Sequence, residues 1–170
     1  MQDQVYKVTS QRQMALLSSL LFIHTILVSL YLYYYGFAGN IVLLISYFVF
    51  FTFDGLPTII LHLQYLSANR YSTLVIHGQD RMLSYTRQDE HLNFSFDDIE
   101  KIIYVAGLGN GAWYSFSEYR YFVLVLRDER KILISSLMMK FDKKDLERIF
   151  GMPMKQSKLP LFPLIRKEYR

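Results

Sequence analysis

The chain has 170 residues, with 19 Lys and Arg against 15 Asp and Glu, and 52% of its residues are hydrophobic. It has no cysteine, which excludes disulfide scaffolds, cysteine-ligated zinc sites and thiol nucleophiles, and its 16% aromatic content excludes a disordered chain. The excess positive charge lies mainly in residues 151–170, whereas residues 66–150 are balanced. Because a nucleic-acid-binding domain usually carries a basic face, we expect no nucleic-acid partner.

An apolar run over residues 14–35 without a formal charge predicts a first membrane-spanning helix. At about 1.5 Å per residue it reaches roughly 33 Å, enough for a hydrocarbon core of about 30 Å. A turn at residues 36–40 precedes a second apolar run, residues 41–63, which Asp54 and Gly55 interrupt and which Pro57 is expected to kink. The alternatives are two buried helices in a soluble protein and, less consistent with two adjacent runs, a cleaved signal peptide.

The orientation of this hairpin follows from its flanks. Lys7 and Arg12 precede the first run, and Arg70, Arg81 and Arg87 follow the second, whereas the turn between the runs carries no charge. The positive-inside rule therefore places both termini in the cytoplasm.

From residue 71 onward, short strands separated by turn residues predict an antiparallel β domain. The predicted strands span residues 72–77, 81–87, 91–96, 99–106, 112–116, 119–127 and 131–136. A helix follows, with Asp142 as its N-cap and Gly151 after its last turn, and Leu146, Ile149 and Phe150 share its apolar face. The predicted domains are a cytoplasmic N-terminal flank (1–13), a transmembrane hairpin (14–66), a cytoplasmic β domain (67–151) and a basic, apolar juxtamembrane tail (152–170).

Three segments carry a family resemblance: residues 94–102 (FSFDDIEKI), the strand pair 121–126 with 131–137, and the helix 141–150. In this order they resemble a bacterial pleckstrin-homology-like (PH-like) domain, of the kind found behind two membrane helices in YcxB-type proteins. The resemblance covers roughly residues 14–151. It implies an α+β membrane protein: a two-helix transmembrane hairpin followed by a seven-stranded antiparallel PH-like domain capped by a C-terminal α-helix.

The resemblance also implies a binding module without chemistry of its own. Many relatives bind inositol-phosphate headgroups with a basic loop between their first two strands. Here the corresponding turn offers His77, Gln79, Asp80 and Arg81, and one Arg beside one Asp is a poor phosphate cradle. The residues of this turn therefore do not support inositol-phosphate binding.

His24 and Asp54 are the only ionisable side chains deep in the two apolar runs. Counted from the turn, they lie at similar depth, with a mismatch of roughly 4 Å. A charge inside a bilayer costs at least a few kcal/mol and usually faces a partner or a cavity. We therefore expect an intramembrane polar pair, or contact with another subunit. The alternatives are that the kink at Pro57 brings Asp54 near water, and that the two residues form a proton relay.

Two further segments are candidates for a partner or membrane surface. The glycine-rich residues 107–111 lack the following helix of a phosphate loop and predict a plain connection, but the neighbouring Trp113, Tyr114 and Phe116 could anchor at an interface. The tail combines apolar and basic residues that suit an anionic membrane surface, at about 1 kcal/mol per close cation; they are Lys158, Phe162, Arg166 and Lys167. The alternative is a disordered solubilising tail.

Together these patterns predict a multi-pass protein of the bacterial inner membrane, with membrane lipids and a protein partner or a second copy as partners. We expect no enzymatic activity and no cofactor, since His62, His77 and His91 lack metal-ligand spacing. Two other functions remain open: an immunity protein that neutralises a membrane-targeting toxin, and a subunit of a membrane transporter or enzyme complex. Partner contacts along the helices would favour the immunity protein, and contacts through the β domain would favour a scaffold.

Overall fold

The computed structural model describes residues 3–36, 40–107, 114–156 and 160–169. Within these residues the chain is an α+β protein with four α-helices: α1 (Ser10–Tyr35), α2 (Ile41–Phe53), α3 (Gly55–Asn69) and α4 (Lys143–Phe150). The strands are β1 (Gln4–Lys7), β2 (Ser72–His77), β3 (Met82–Arg87), β4 (Glu90–Ser95), β5 (Ile99–Ala106), β6 (Arg120–Leu126), β7 (Lys131–Ser135) and β8 (Lys155–Gln156).

The strands form two four-stranded sheets, in the orders β1-β2-β3-β4 and β7-β6-β5-β8. Strands β1 to β7 pair antiparallel, and the short β8 adds parallel to β5. The inner faces of the sheets share one apolar core, to which Leu83 and Phe122 contribute fully buried side chains. Leu146 and Phe150 of α4 are buried in the same core, as the i, i+4 spacing of its apolar face requires.

Along the chain, helices α1–α3 lie between the first and second strands of the β domain, and they do not precede the domain. Strand β1 pairs with β2, with Gln4 opposite Ile76 and Lys7 opposite Thr73, so the helical segment connects the first two strands. The prediction that residues 1–13 are only a flank is therefore wrong, as is a domain beginning at residue 67. The turn at residues 78–81, expected between the first two strands, joins β2 to β3.

The predicted strand at residues 112–116 does not form in its described part. Residues 114–118 form turns, closed by hydrogen bonds from Ser117 N to Tyr114 O and from Tyr119 N to Phe116 O; residues 112 and 113 lie outside the described residues. Aromatic residues are common in strands, but packing against the rest of the protein determines the conformation of such a short segment. The other six predicted strands occur within one residue of their expected bounds.

Two helical segments are long and apolar enough to cross a membrane. Ser10–Tyr35 contains an 18-residue stretch with a mean hydropathy of 2.0, and Ile41–Asn69 contains one with a mean hydropathy of 1.7. The second is divided at Asp54, where α2 ends and α3 begins. The break therefore falls where Asp54 and Gly55 were expected to interrupt the run. Pro57, which was expected to kink it, lies in the first turn of α3, where a missing backbone donor costs little.

Helix α4 begins with a reciprocal capping box. The Asp145 N–H donates to Asp142 Oδ1 at 2.7 Å, and the Asp142 N–H donates to Asp145 Oδ2 at 3.2 Å. The helix ends at Phe150, and the next residue, Gly151, has a φ of 67° that favours glycine.

Replacing Asp142 with Ala is expected to lower the free energy of unfolding by about 1 kcal/mol at neutral pH. The backbone N–H of Asp145 lowers the pKa of Asp142, so the cap is stronger when the carboxyl is ionised. Its contribution is complete above the unfolded-state pKa of about 3.9 and is lost as the pH falls through the lower folded-state value. Thermal unfolding of parent and variant at pH 7 and at about pH 2.5 should show the difference shrinking in acid; Asp89→Ala, in an exposed turn, is the control.

Candidate functional site

The inner face of α3 is polar although the helix belongs to an apolar run. Asp54, Thr58, His62, Tyr65 and Asn69 follow one another at spacings of three and four residues, which places them on one side of a helix. All five are buried against the rest of the protein. The opposite side of α3 exposes large apolar side chains: Leu56, Ile59, Ile60 and Leu63.

This polar face attaches the helix to the outer side of the second sheet. Asn69 Nδ2 donates to Leu133 O at 2.9 Å, and the Ser135 N–H donates to Asn69 Oδ1 at 3.2 Å. Nearer the middle of α3, His62 Nδ1 lies 2.9 Å from the Tyr119 hydroxyl. Helix α3 is thus held by specific hydrogen bonds to β7 and to the turn before β6.

Apolar packing completes the junction between helices and sheet. Leu16 of α1 and Leu61 of α3 are buried in a second apolar cluster with Tyr121 and Val123, on the outer face of β6. Strand β6 is therefore apolar on both faces because one face meets the core and the other meets the helices. Burial raises the pKa of Tyr121 to about 12, so its phenol stays neutral and donates a hydrogen bond, here to Leu164 O at 3.2 Å.

The structure brings His24 and Asp54 together. His24 Nε2 lies 3.5 Å from Asp54 Oδ2, and their side chains are 11% and 2% exposed. Asp54 Oδ1 accepts a hydrogen bond of 2.8 Å from the Ser115 backbone N–H. Among the described residues, both imidazole nitrogens, Asp54 Oδ2 and Ser115 Oγ have no hydrogen-bond partner. The pair therefore joins α1 to the α2–α3 break, and the carboxylate also contacts the turn before β6.

Aromatic rings surround the imidazole on the helical side. The rings of Tyr47, Phe50 and Phe51 of α2 have centroids 5.8, 5.4 and 5.3 Å from that of His24. Gly55 lies next to the pair, and a Cβ there would meet Phe51 at 2.4 Å and His24 Nε2 at 3.2 Å. The absence of a side chain at residue 55 thus allows the imidazole to approach the carboxylate.

The aromatic candidates near residue 115 divide between surface and core. Tyr114 is 39% exposed and stacks on Phe116, with 5.2 Å between ring centroids. Phe116 is only 5% exposed and belongs to the second apolar cluster, so its prediction as a surface residue is wrong. Trp113 lies outside the described residues. Residues 114–116 therefore expose one aromatic ring that rests on a buried one.

The described part of the tail packs against the junction. Tyr65 donates to Pro163 O at 2.7 Å, the Ile165 N–H donates to Gln64 Oε1 at 2.8 Å, and Ile165 is buried. Phe162 packs edge-on against the Phe116 ring at 5.0 Å. Residues 160–169 thus form an ordered strap along α3, and the disordered alternative does not hold for them.

The basic candidates of the tail remain on the surface where the structure describes them. Arg166 and Lys167 are exposed, and Arg166 lies 3.5 Å from Glu168. Lys158 lies outside the described residues. No group of three or more His, Asp or Glu side chains could hold a metal ion within residues 3–36, 40–107, 114–156 and 160–169.

The fold and this junction define a PH-like α+β domain that carries an apolar helical insertion between its first two strands. A family model described as a PH domain matches residues 5–146, from β1 into α4. The chain belongs to this PH domain family. No curated protein and no solved structure matches it.

Sequence reasoning found the His24–Asp54 pair but missed the rest of the polar face. The signal was present, because residues 54, 58, 62, 65 and 69 repeat with the period of a helix inside an apolar run. What the sequence did not show is the surface that these side chains face.

Proposed function

We propose that this protein is a non-enzymatic binding module anchored in the bacterial inner membrane by α1–α3. Its PH domain then recognises a protein partner or a lipid at the cytoplasmic surface. Membership of the PH domain family supports a binding role. The apolar exposure of the helices supports the anchor, since Phe22, Ile41 and Phe53 are 68%, 66% and 67% exposed, and apolar surface of this extent requires lipid or a partner.

The distribution of side chains on α3 is the observation that carries the proposal. A surface helix in water places apolar residues inward and polar residues outward. Helix α3 instead turns the polar Asp54, His62 and Asn69 inward, beside the buried Leu61, and exposes Leu56 and Leu63. Polar side chains that face protein and apolar side chains that face outward are the arrangement expected in lipid.

The length of the helical segment fits a bilayer. From Ile41, at about 1.5 Å per residue, Ile60 lies about 29 Å along the helix path, near the limit of a hydrocarbon core of about 30 Å. On α1, Arg12 lies about 35 Å from Tyr35, at headgroup level. Ser115 contacts Asp54 at about 20 Å from Ile41, so the exposed Tyr114 ring beside it would enter the near leaflet.

Cysteine labelling tests the anchor and its orientation in a chain that has no native cysteine. We expect Ala38→Cys to react with a membrane-impermeant maleimide only from the periplasmic side of the membrane. Asp128→Cys, in the exposed turn between β6 and β7, should react only in inverted vesicles. The cysteine-free parent is the control for background labelling. Labelling of both positions from the same side, or release of the protein from membranes by carbonate, would refute the anchor.

Site-specific photo-crosslinking tests where a partner binds. A crosslinker at Asn93, exposed on β4, samples the domain side, and one at Leu30, 49% exposed on α1, samples the lipid-facing side. We expect reproducible adducts from the domain position after purification in mild detergent. Protein adducts from Leu30 alone would instead support the immunity-protein or complex-subunit alternative.

A further inference from the structure

A cleft of about 490 Å³ lies between α3 and the ends of the two sheets. Its polar lining comes from Gln64 and Ser67 of α3, Arg87 and Glu90 at the turn from β3 to β4, Lys131 at the start of β7, and Tyr169 of the tail. The volume lies within the range of about 300–1,000 Å³ that is typical of small-molecule sites. It is separate from the His24–Asp54 pair and borders the junction, with which it shares Gln64 and Leu133.

The charged groups of the cleft are available to a ligand. Arg87 and Glu90 are opposite each other on β3 and β4, yet neither forms an ion pair with a residue that the structure describes. Both act on the buried Tyr85: burial raises its pKa most, Arg87 lowers it and Glu90 raises it. The two opposite charges and this phenol line the same cleft.

Lys131 supplies a second cation on the other wall. Its ammonium donates to Glu168 O at 3.4 Å and lies 5.7 Å from the centre of the Tyr169 ring. The Lys131 side chain is exposed and makes no ion pair with a residue in the described ranges. The cleft thus presents two cations and one carboxylate, and it suits a ligand that carries both a negative and a positive group.

The position of the cleft along α3 indicates what kind of ligand reaches it. This step rests on the proposed membrane anchor. Gln64 and Ser67 lie about 35 and 39 Å from Ile41 along the helix path, beyond a hydrocarbon core of about 30 Å and within the headgroup layer. Ile60 lines the apolar edge of the cleft and Leu63 is 60% exposed beside it, where acyl chains would continue from a bound headgroup.

We propose that this cleft binds the headgroup of a zwitterionic phospholipid with a primary amine, such as phosphatidylethanolamine. The phosphate lies against Arg87 and Lys131, and the ammonium donates to the Glu90 carboxylate, both as charge-assisted hydrogen bonds. Phosphatidylglycerol has the same phosphate but no ammonium and would leave Glu90 without a counter-charge, and the quaternary ammonium of phosphatidylcholine has no N–H to donate to the carboxylate. The cleft has α3 as one wall, and α1–α3 occupy the connection between the first two strands where the family resemblance would place an inositol-phosphate loop.

Lipid retention by the full-length protein tests the proposal. The protein is purified in mild detergent, mixed with equal amounts of dioleoyl phosphatidylethanolamine, phosphatidylcholine and phosphatidylglycerol, and bound lipid is counted by native mass spectrometry. We expect at least tenfold preference for phosphatidylethanolamine over phosphatidylglycerol. Glu90→Gln should abolish that preference, whereas Arg87→Gln with Lys131→Gln should reduce retention of all three lipids at least tenfold. Asp89→Asn and Arg127→Gln, at exposed neighbouring turns, are matched controls that should behave as the parent.

Three outcomes would overturn the proposal: equal retention of all three lipids, an unchanged preference in Glu90→Gln, or full retention in the Arg87 and Lys131 double variant. Soluble phosphoethanolamine that competes as strongly as the lipid would also overturn it, because the source would then be a free metabolite. Cysteine labelling of the same variants separates the two proposals. If the parent protein inserts correctly but shows no lipid preference, the cleft proposal alone is refuted. If the parent protein fails to insert, the anchor is refuted.

Discussion

Replacing His24 with Leu is expected to destabilise the protein by about 3 kcal/mol, and adding Asp54→Asn is expected to restore most of the loss. The single change leaves a carboxylate that is 2% exposed and whose Oδ2 accepts no hydrogen bond from a described residue. An uncompensated buried charge is far more costly than the absence of the whole pair. Asn at residue 54 removes the charge, and its amide oxygen can still accept from the Ser115 N–H.

Thermal unfolding in detergent, followed by circular dichroism, measures this effect. Thr25→Leu is the matched control, since it adds a leucine at the next residue of α1 on the exposed side, and its effect should stay within about 0.5 kcal/mol. If His24→Leu were as mild as Thr25→Leu, the pair would contribute nothing to stability. If the double variant were no more stable than the single one, charge burial would not be the cause.

Asn69→Ala is expected to cost about 3 kcal/mol and to loosen the end of α3 from β7. The Asn69 amide is fully buried and satisfies two backbone groups, Leu133 C=O and Ser135 N–H. Its loss leaves both without a partner, at about 1–3 kcal/mol for each buried group.

The matched control is Asn93→Ala, because Asn93 is exposed on β4. We expect its effect on the thermal unfolding midpoint to be within error of the parent, while Asn69→Ala also becomes more sensitive to limited proteolysis near residue 70. Equal midpoints for the two variants would mean that solvent satisfies the groups that Asn69 binds, and that the α3–β7 attachment is weak.

Local signals predicted most of the β domain. The short apolar or alternating runs of β2 to β7 and the turn residues between them predicted the strand bounds to within one residue, because hairpin neighbours are close in sequence. The capping box of Asp142 and Asp145 and the glycine at 151 likewise act within a few residues. The depth of His24 and Asp54 followed from the helical rise alone, and the structure places the two side chains at ion-pair distance.

Long-range pairing could not be predicted in the same way. Strand β1 has four residues, and its partner β2 begins only after three helices, so no local pattern distinguishes it from a cytoplasmic flank. The contact of Asp54 with Ser115 and that of Tyr65 with Pro163 join distant segments. Sequence periodicity can show that α3 has a polar face, but only the fold shows that this face packs against the second sheet and the tail.

The pairing of β1 with β2 also constrains the route of the chain. Two strands can form one ladder only if they lie in the same compartment, so an anchored chain must cross the bilayer an even number of times between Lys7 and Ser72. During synthesis β1 leaves the ribosome first and has no partner until the helices have returned. A chain that crossed only once would strand β1 on the opposite side, and its first sheet would keep an open edge at β2. In a chain anchored in this way, a complete first sheet would indicate that the helical hairpin has inserted correctly.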